Sequence, residues 1–168
     1  GEGVKPSYRE ITKLKNKCFP DSQKPYSYYK QLPHFRFLVF KDEKIIGHMG
    51  IDHRVILVGD SPKYIFGIID LCIDINYRSK NIASTLLEKI TILGERNNID
   101  YLLLFANNHR LYNKNNFKPI STYCSWLKIN NHKNYGVAFE EIKNEIMIKE
   151  LGQNKWENKP IDFLGYLF

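Results

Sequence analysis

Hydrophobic positions along the chain alternate between a helical period and a period of two. Ile11, Leu14, Cys18 and Phe19 recur at helical spacing over Tyr8 to Phe19, with Ser7 placed as an N-cap and Pro20 as a stop. Ser27 to Leu32 reads as a second short helix ended by Pro33. Phe35 to Phe40 has the aromatic and β-branched content of a strand, and the polar Lys41-Asp-Glu-Lys44 turns it into the next strand, Ile45 to Val58. Gly59-Asp-Ser-Pro62 makes a hairpin turn into the apolar run Tyr64 to Ile75. Ala83, Leu86, Leu87, Ile90 and Leu93 then form one stripe of period 3.6, so this helix packs that stripe on a sheet. Tyr101 to Phe105 is short and wholly apolar, the mark of a central parallel strand. Leu111 and Tyr112 fall on a short helix, and Thr122 to Ile129 forms a strand beyond Pro119. Asn130 to Asn134 is expected as a loop, and Glu145 to Lys149 alternates as a last strand. No repeat or linker interrupts the order, which predicts one mixed α/β domain over residues 1–168.

Composition narrows the class. At 168 residues and 43% hydrophobic, the chain can bury one ordinary core and is not a disordered tail. No stretch approaches the ~18 apolar residues of a membrane helix, so no membrane partner is expected. The start, Gly1-Glu-Gly-Val-Lys-Pro, lacks the apolar segment of a signal peptide and an initiator Met, which predicts a processed N-terminus and a cytoplasmic protein. Cys18, Cys72 and Cys124 are too few and too scattered for a disulfide framework or a metal-ligand motif, so no metal is expected. The net charge of +7 is spread, with no basic run longer than two and no aromatic RNA-binding signature. It therefore favours a basic surface or an anionic ligand over nucleic acid.

The densest chemistry lies in Arg78-Ser-Lys-Asn-Ile-Ala-Ser-Thr85, between the apolar run and the amphipathic helix. Strand, tight turn and helix N-terminus in that order aim several N–H groups at one point, and the helix dipole adds to their pull on an anion. Arg78, Ser79, Lys80, Asn81, Ile82, Ala83 and Ser84 are thus candidates to hold a pyrophosphate.

This turn resembles the signature Gln/Arg-x-x-Gly-x-Gly/Ala of the GCN5-related N-acetyltransferase superfamily. A second element of that family, Leu-Tyr-x-(Lys/Arg)-x-Gly-Phe, is matched by Leu111-Tyr-Asn-Lys-Asn-Asn116-Phe117. Asn81 and Asn116 stand where the family has glycine. Asparagine is the residue after glycine that best tolerates a left-handed backbone, so the conformational role is expected to survive. The resemblance implies an acyl-CoA N-acyltransferase fold, with a mixed, mostly antiparallel central sheet, flanking helices, and a fourth and fifth strand that run parallel and splay apart around the cofactor. It implies acetyl-CoA as co-substrate and a small-molecule or peptide amine as acceptor, in a monomer or homodimer.

Acetyl transfer to an amine needs donors for the developing oxyanion, a base for the ammonium and an acid for the departing thiolate. The resemblance assigns the donors to the main chain of Leu71, Cys72 and Ile73, the acid to Tyr112, and pantetheine contacts to Asn107. Cys72 otherwise reads as a small apolar spacer. For the base the nearest carboxylates are Asp70 and, less well placed, Asp74. Asp70 lies one step off the family register, which turns a strand side chain to the wrong face unless a bulge restores it. His48 and His53 read as structural. A closer resemblance, over Lys44 to Gly59, His109 to Tyr112 and Pro160 to Phe168, is to the aminoglycoside 2'-N-acetyltransferase branch. That branch implies an aminoglycoside or similar small amine as acceptor and a catalytic terminal carboxylate on Phe168; a strap that simply packs Phe163, Leu164 and Phe168 is the plain alternative. A peptide-amine acetyltransferase and a CoA-binding domain without catalysis are the other readings.

Overall fold

Two hairpins open the sheet, the first turning without glycine and the second with one. The structure, a computed structural model, describes residues 8–28 and 30–168; Ser7, the expected N-cap, lies outside them. Helix α1 is Tyr8–Cys18, and β1 is Phe35–Lys41. Asp42 and Glu43 both take positive φ, as a two-residue hairpin loop requires, and pass the chain to β2, Lys44–Val58. Gly59, at φ +60, then helps turn it into β3, Ser61–Ile73. Helix α2 is Ile82–Arg96, β4 is Tyr101–Phe105 and α3 is Arg110–Lys114. Strands β5, Lys118–Asn130, β6, Lys133–Glu150, and β7, Ile161–Tyr166, complete the order.

Among the described residues the seven strands form one sheet, β1-β2-β3-β4-β6-β5-β7, and β7 also pairs with β2. The contact of Leu57 and Val58 with Asp162 and Ile161 rolls the far half of the sheet into a near-closed barrel. Its interior holds Ile56, Ile65, Tyr101, Leu103, Ile146 and Phe163, all nearly or fully buried. The opposite face carries α2, whose Leu86, Leu87 and Ile90 pack on Met49, Ile51, Leu102 and Met147. Leu87 and Ile90 are fully buried, each contributing ~1.5–3 kcal/mol. Helix α1 covers the remaining corner through Ile11 and Leu14 on Ile45 and Cys72.

Several expectations need correction. The described residues of 27–32 are not helical; instead the Ser27 carbonyl accepts from Lys15 Nζ at 2.7 Å and Arg36 Nη2 at 2.8 Å. Strand β3 stops at Ile73, because the Asp74 carboxylate accepts the Asn76 N–H at 3.0 Å and starts a 3-10 turn over Ile75–Tyr77. The expected loop at 130–134 shrinks to Asn131 and His132, both at positive φ. Beyond it β6 runs unbroken to Glu150, and the last strand is β7, inside the segment read as a strap.

The parallel pairing of β3 with β4 covers only Ile65–Gly67 against Tyr101–Leu103, after which the two strands separate. Gly67 marks the parting point. A Cβ there would meet the Phe168 ring at 2.5 Å, so the aromatic side chain lies directly on the Gly67 backbone. Arg54 holds this tail through the carbonyls of Phe163, at 2.8 Å, and Tyr166, and Lys30 Nζ bonds the Leu167 carbonyl at 2.9 Å. Tyr166 donates to the buried Asp52 at 2.9 Å. Replacing Gly67 with Ala should displace the ring and cost ~1–3 kcal/mol. Calorimetry should find the double change Gly67→Ala with Phe168→Ala no less stable than Phe168→Ala alone; additive losses would disprove the contact.

Candidate active site

The site begins with one inserted residue. Gly50 pairs with Ile69 and His48 with Cys72, leaving Asp70 and Leu71 opposite Met49 alone, and Asp70 takes φ +51. This is a β-bulge, and it resets the faces of the strand. Phe66 and Ile68 pack on the α2 side, and so do Leu71 and Ile73, an interval of three where a regular strand gives two. Cys72 therefore turns toward α1, and the Asp70 carboxylate meets Lys15 on α1 at 2.6 Å.

His48 pins the bulge. Its Nδ1–H donates to the Asp70 carbonyl at 2.9 Å, while Nε2 is buried without a partner. Burial drives the imidazole pKa down to about 4, so the ring is neutral near pH 7 with its proton on the nitrogen the carbonyl needs. His53 packs edge-on against Phe66.

Beyond the bulge lies a cleft of about 370 Å³. Leu71, Cys72 and Ile73 form one wall, and Arg78, Ser79 and Asn81 to Ser84 form the second. Asn81 sits at φ +58 as the N-cap of α2, and its side chain makes no capping hydrogen bond. Ser79 is also left-handed, at φ +68, so the turn folds tightly and presents the first N–H groups of α2 to the cleft. Arg78 Nε bonds the Ile73 carbonyl at 2.9 Å, fixing the turn to the end of β3. Lys80 instead faces a separate hollow beside Phe37 and Lys89, away from the cleft.

The third wall is α3, through Leu111 and Lys114. Asn116, at φ +67, ends α3 with the Phe117 N–H on the Tyr112 carbonyl at 3.0 Å and its own N–H on the Asn113 carbonyl at 3.3 Å. Those paired bonds need a left-handed residue at that position. Asn115 Nδ2 reaches Ser84 Oγ at 3.1 Å and ties α3 to α2. Tyr112 packs its ring on Phe117, centroids 5.8 Å apart, and does not line the cleft; burial raises its pKa. Asn107 is exposed at the end of β4.

Sequence reasoning missed three features here. Cys18, at the end of α1, lines the cleft beside Cys72. The neighbouring Cys72 thiol, aided by Arg78, lowers Cys18 to about 7, and the Cys18 thiol donates to the Ile73 carbonyl at 3.6 Å. The adjoining Cys18, with burial, pushes the Cys72 thiol far up and keeps it protonated. Tyr77 also lines the cleft. A second hollow, of about 400 Å³, adjoins the first across Phe19 and is lined by Lys15, Asp21, Tyr26, Tyr28 and Asp70. Only the helical spacing of α1 could have placed Lys15 and Cys18 on its inner side. Asp74 is taken up by Asn76 and Lys17, which hold its carboxyl below the usual range. Among the described residues no group of three or more His, Cys, Asp or Glu is placed to hold a metal ion, and no helix is long and apolar enough to cross a membrane.

A family model described as the acetyltransferase (GNAT) family matches residues 8–117, which span both the bulge and the turn. The chain belongs to this family. Solved GNAT structures share its fold. A GNAT acetyltransferase from Brucella melitensis, in complex with acetyl-CoA, superposes with a TM-score of 0.60 over 93% of this chain and 90% of its own, at 12% identity. YhbS from Escherichia coli, in complex with CoA, gives 0.59 over 92% of this chain and 75% of its own, at 13% identity. A GCN5-related N-acetyltransferase from Anabaena variabilis gives 0.55 at 17% identity, and there this chain spans 31% of the larger protein while 70% of it is matched. No curated protein matches the sequence. The matched residues include the bulge, the α2 turn and the α3 cap, the last two each carrying an asparagine at positive φ.

Two outcomes follow for the pinned bulge and the thiol pair. With a folded pKa near 4 and an unfolded one near 6.5, the unfolded state binds the extra proton between those values. Stability is then complete above pH 6.5 and falls by roughly 3 kcal/mol as pH drops toward 4. Denaturant titrations should show that loss flattened in His48→Asn, which keeps a donor near Nδ1; an unchanged pH slope would exclude His48. Cys18 should alkylate with a midpoint near pH 7, and Cys72→Ala should move that midpoint upward. An unmoved midpoint would mean that Cys72 does not acidify its neighbour.

Proposed function

We propose that the protein is an acetyl-CoA-dependent N-acetyltransferase acting by direct attack in a ternary complex. The observation that carries the reading is the adjacency of two hollows across one bulge, one walled by a phosphate-type turn and one holding a carboxylate. The N–H groups of Arg78 to Ser84 would hold the pyrophosphate, where the dipole of α2 favours anions. The bulge leaves main-chain N–H groups of Leu71 to Ile73 to stabilise the thioester oxygen as charge develops. That CoA and acetyl-CoA are bound by the Escherichia coli and Brucella proteins favours the same ligand here.

The amine nitrogen bonds the acetyl carbon, and the C–S bond breaks with its electron pair on sulfur. Asp70, facing the second hollow, takes the amine proton. Tyr112, kept protonated by burial, supplies one to the thiolate by turning its hydroxyl toward the cleft from the helix that carries Leu111. Asn107, at the mouth of the splay, is assigned to the pantetheine amides. Phe168 enters through its ring, which occupies the parting of β3 and β4. The acceptor class is a small-molecule or peptide amine, of which an aminoglycoside is one member, and the cytoplasm is the compartment that supplies acetyl-CoA.

Acetyl-CoA at ~100 times its Kd should stabilise the fold by ~2.7 kcal/mol, seen as a rise in Tm. Absence of any shift sinks the reading. Tyr112→Phe should keep that shift while kcat falls ~10²-fold or more. Wild-type turnover in Tyr112→Phe assigns the ring to packing alone, and turnover of any amine separates an enzyme from a domain that only binds CoA.

A further inference from the structure

The second hollow continues into a groove along α1, and its charge is one-sided. The two share Asn16, Tyr26 and Tyr28 as lining. One wall of the groove is α1, where Arg9, Lys13 and Lys17 recur every four residues and so form a row on one face. The other wall is made by Gln23, Pro25 to Tyr28 and Leu32, with Tyr26 and Tyr28 stacked at 4.7 Å. Every charged side chain lining the groove is a cation. Lys17 shares the buried Asp74, whereas Arg9 and Lys13 point out from exposed positions. At the inner end Asp70 is already paired with Lys15, and Arg36 lies close enough to act on it electrostatically.

Such surroundings oppose a polycation and suit an anion. We propose that the acceptor is a primary amine carried on an anionic molecule, its nitrogen beside Asp70 and its carboxylate or phosphate groups against Arg9 and Lys13. This rests on the acetyl-transfer reading of the same site. Lys15 lies six positions beyond Arg9 on α1, an axial rise of ~9 Å, which sets the span between the amine end and the acidic end of the acceptor.

The test uses three tripeptides that share an N-terminal glycine amine and continue with two glutamates, two alanines or two lysines. With acetyl-CoA and the whole chain, kcat/KM should rank glutamate above alanine above lysine, with about tenfold or more between the extremes at low salt and less at high salt. Arg9→Glu combined with Lys13→Glu should erase the ranking and leave the acetyl-CoA thermal shift unchanged. Equal rates, a lysine preference, or a glutamate preference that survives the double change overturns the proposal. If turnover is too slow to rank, amide shifts of the acetyl-CoA-saturated protein decide: the acidic peptide moving Arg9 and Lys13 upholds it, and no movement overturns it. A protein with no acetyl-CoA shift at all fails at the earlier step and is thereby distinguished.

Discussion

One hydrogen bond, from His48 Nδ1 to the Asp70 carbonyl, organises the rest of the site. An aspartate at φ +51 is uncommon and mildly costly, so it persists only where its surroundings fix it. A neutral buried imidazole does that, because its single proton must sit on the nitrogen facing the carbonyl while Nε2 goes without a partner. A lone buried acceptor is itself unfavourable by ~1–3 kcal/mol. The bulge thus stores strain in two places, and what it delivers is a change of face. Asp70 reaches α1 and Leu71 reaches the α2 side, on consecutive residues.

Charge is distributed around that pivot with the same economy. The cleft side combines main-chain dipoles of α2 with Arg78, engaged by the Ile73 carbonyl, and Lys114 of α3, while Lys80 turns elsewhere. A longer row of side-chain cations lies on α1 and its groove. Fixed dipoles need no reorganisation when a phosphate arrives, whereas mobile lysine and arginine side chains steer a charged molecule from a distance and are screened by salt. The net charge of +7 is therefore less informative than its placement.

The sequence made the helix α2, strands β1 to β4 and the turn legible because each carries a strong local signal, a 3.6-residue stripe, an apolar run or a basic turn before a helix. The left-handed roles of Asn81 and Asn116 were legible from the family's glycines at those positions together with asparagine's tolerance of that backbone, and both are seen. What failed was non-local. The run from 133 to 150 alternates poorly because its outer half is exposed on both sides, leaving Val137 and Phe139 in solvent, so only its buried end read as a strand. Strand β7 is defined by partners more than thirty residues away, β5 and β2, and short segments of that kind look like straps. The bulge was conditional for the same reason: nothing in Ile-Asp-Leu demands it, and its cause, His48, lies on another strand.

The sheet itself explains why the two hollows can be specialised separately. The first cleft takes its walls from β3, α2 and α3 and the second hollow from α1 and residues after it, with Phe19 as their shared lining residue. A substitution on the outer row of α1 touches no residue of the turn, so under the proposed function acceptor preference can change without altering the proposed phosphate site. The exception is the corner where Cys18 leaves α1 and meets Cys72 and, through charge, Arg78. There one helix end contacts both the end of β3 and the turn before α2. A change of charge on the Cys18 sulfur would act on both at once, because the Arg78 guanidinium that lowers its pKa is the same group that braces the turn on Ile73. Independence of the two hollows therefore holds along α1 as far as its last turn and ends at Cys18.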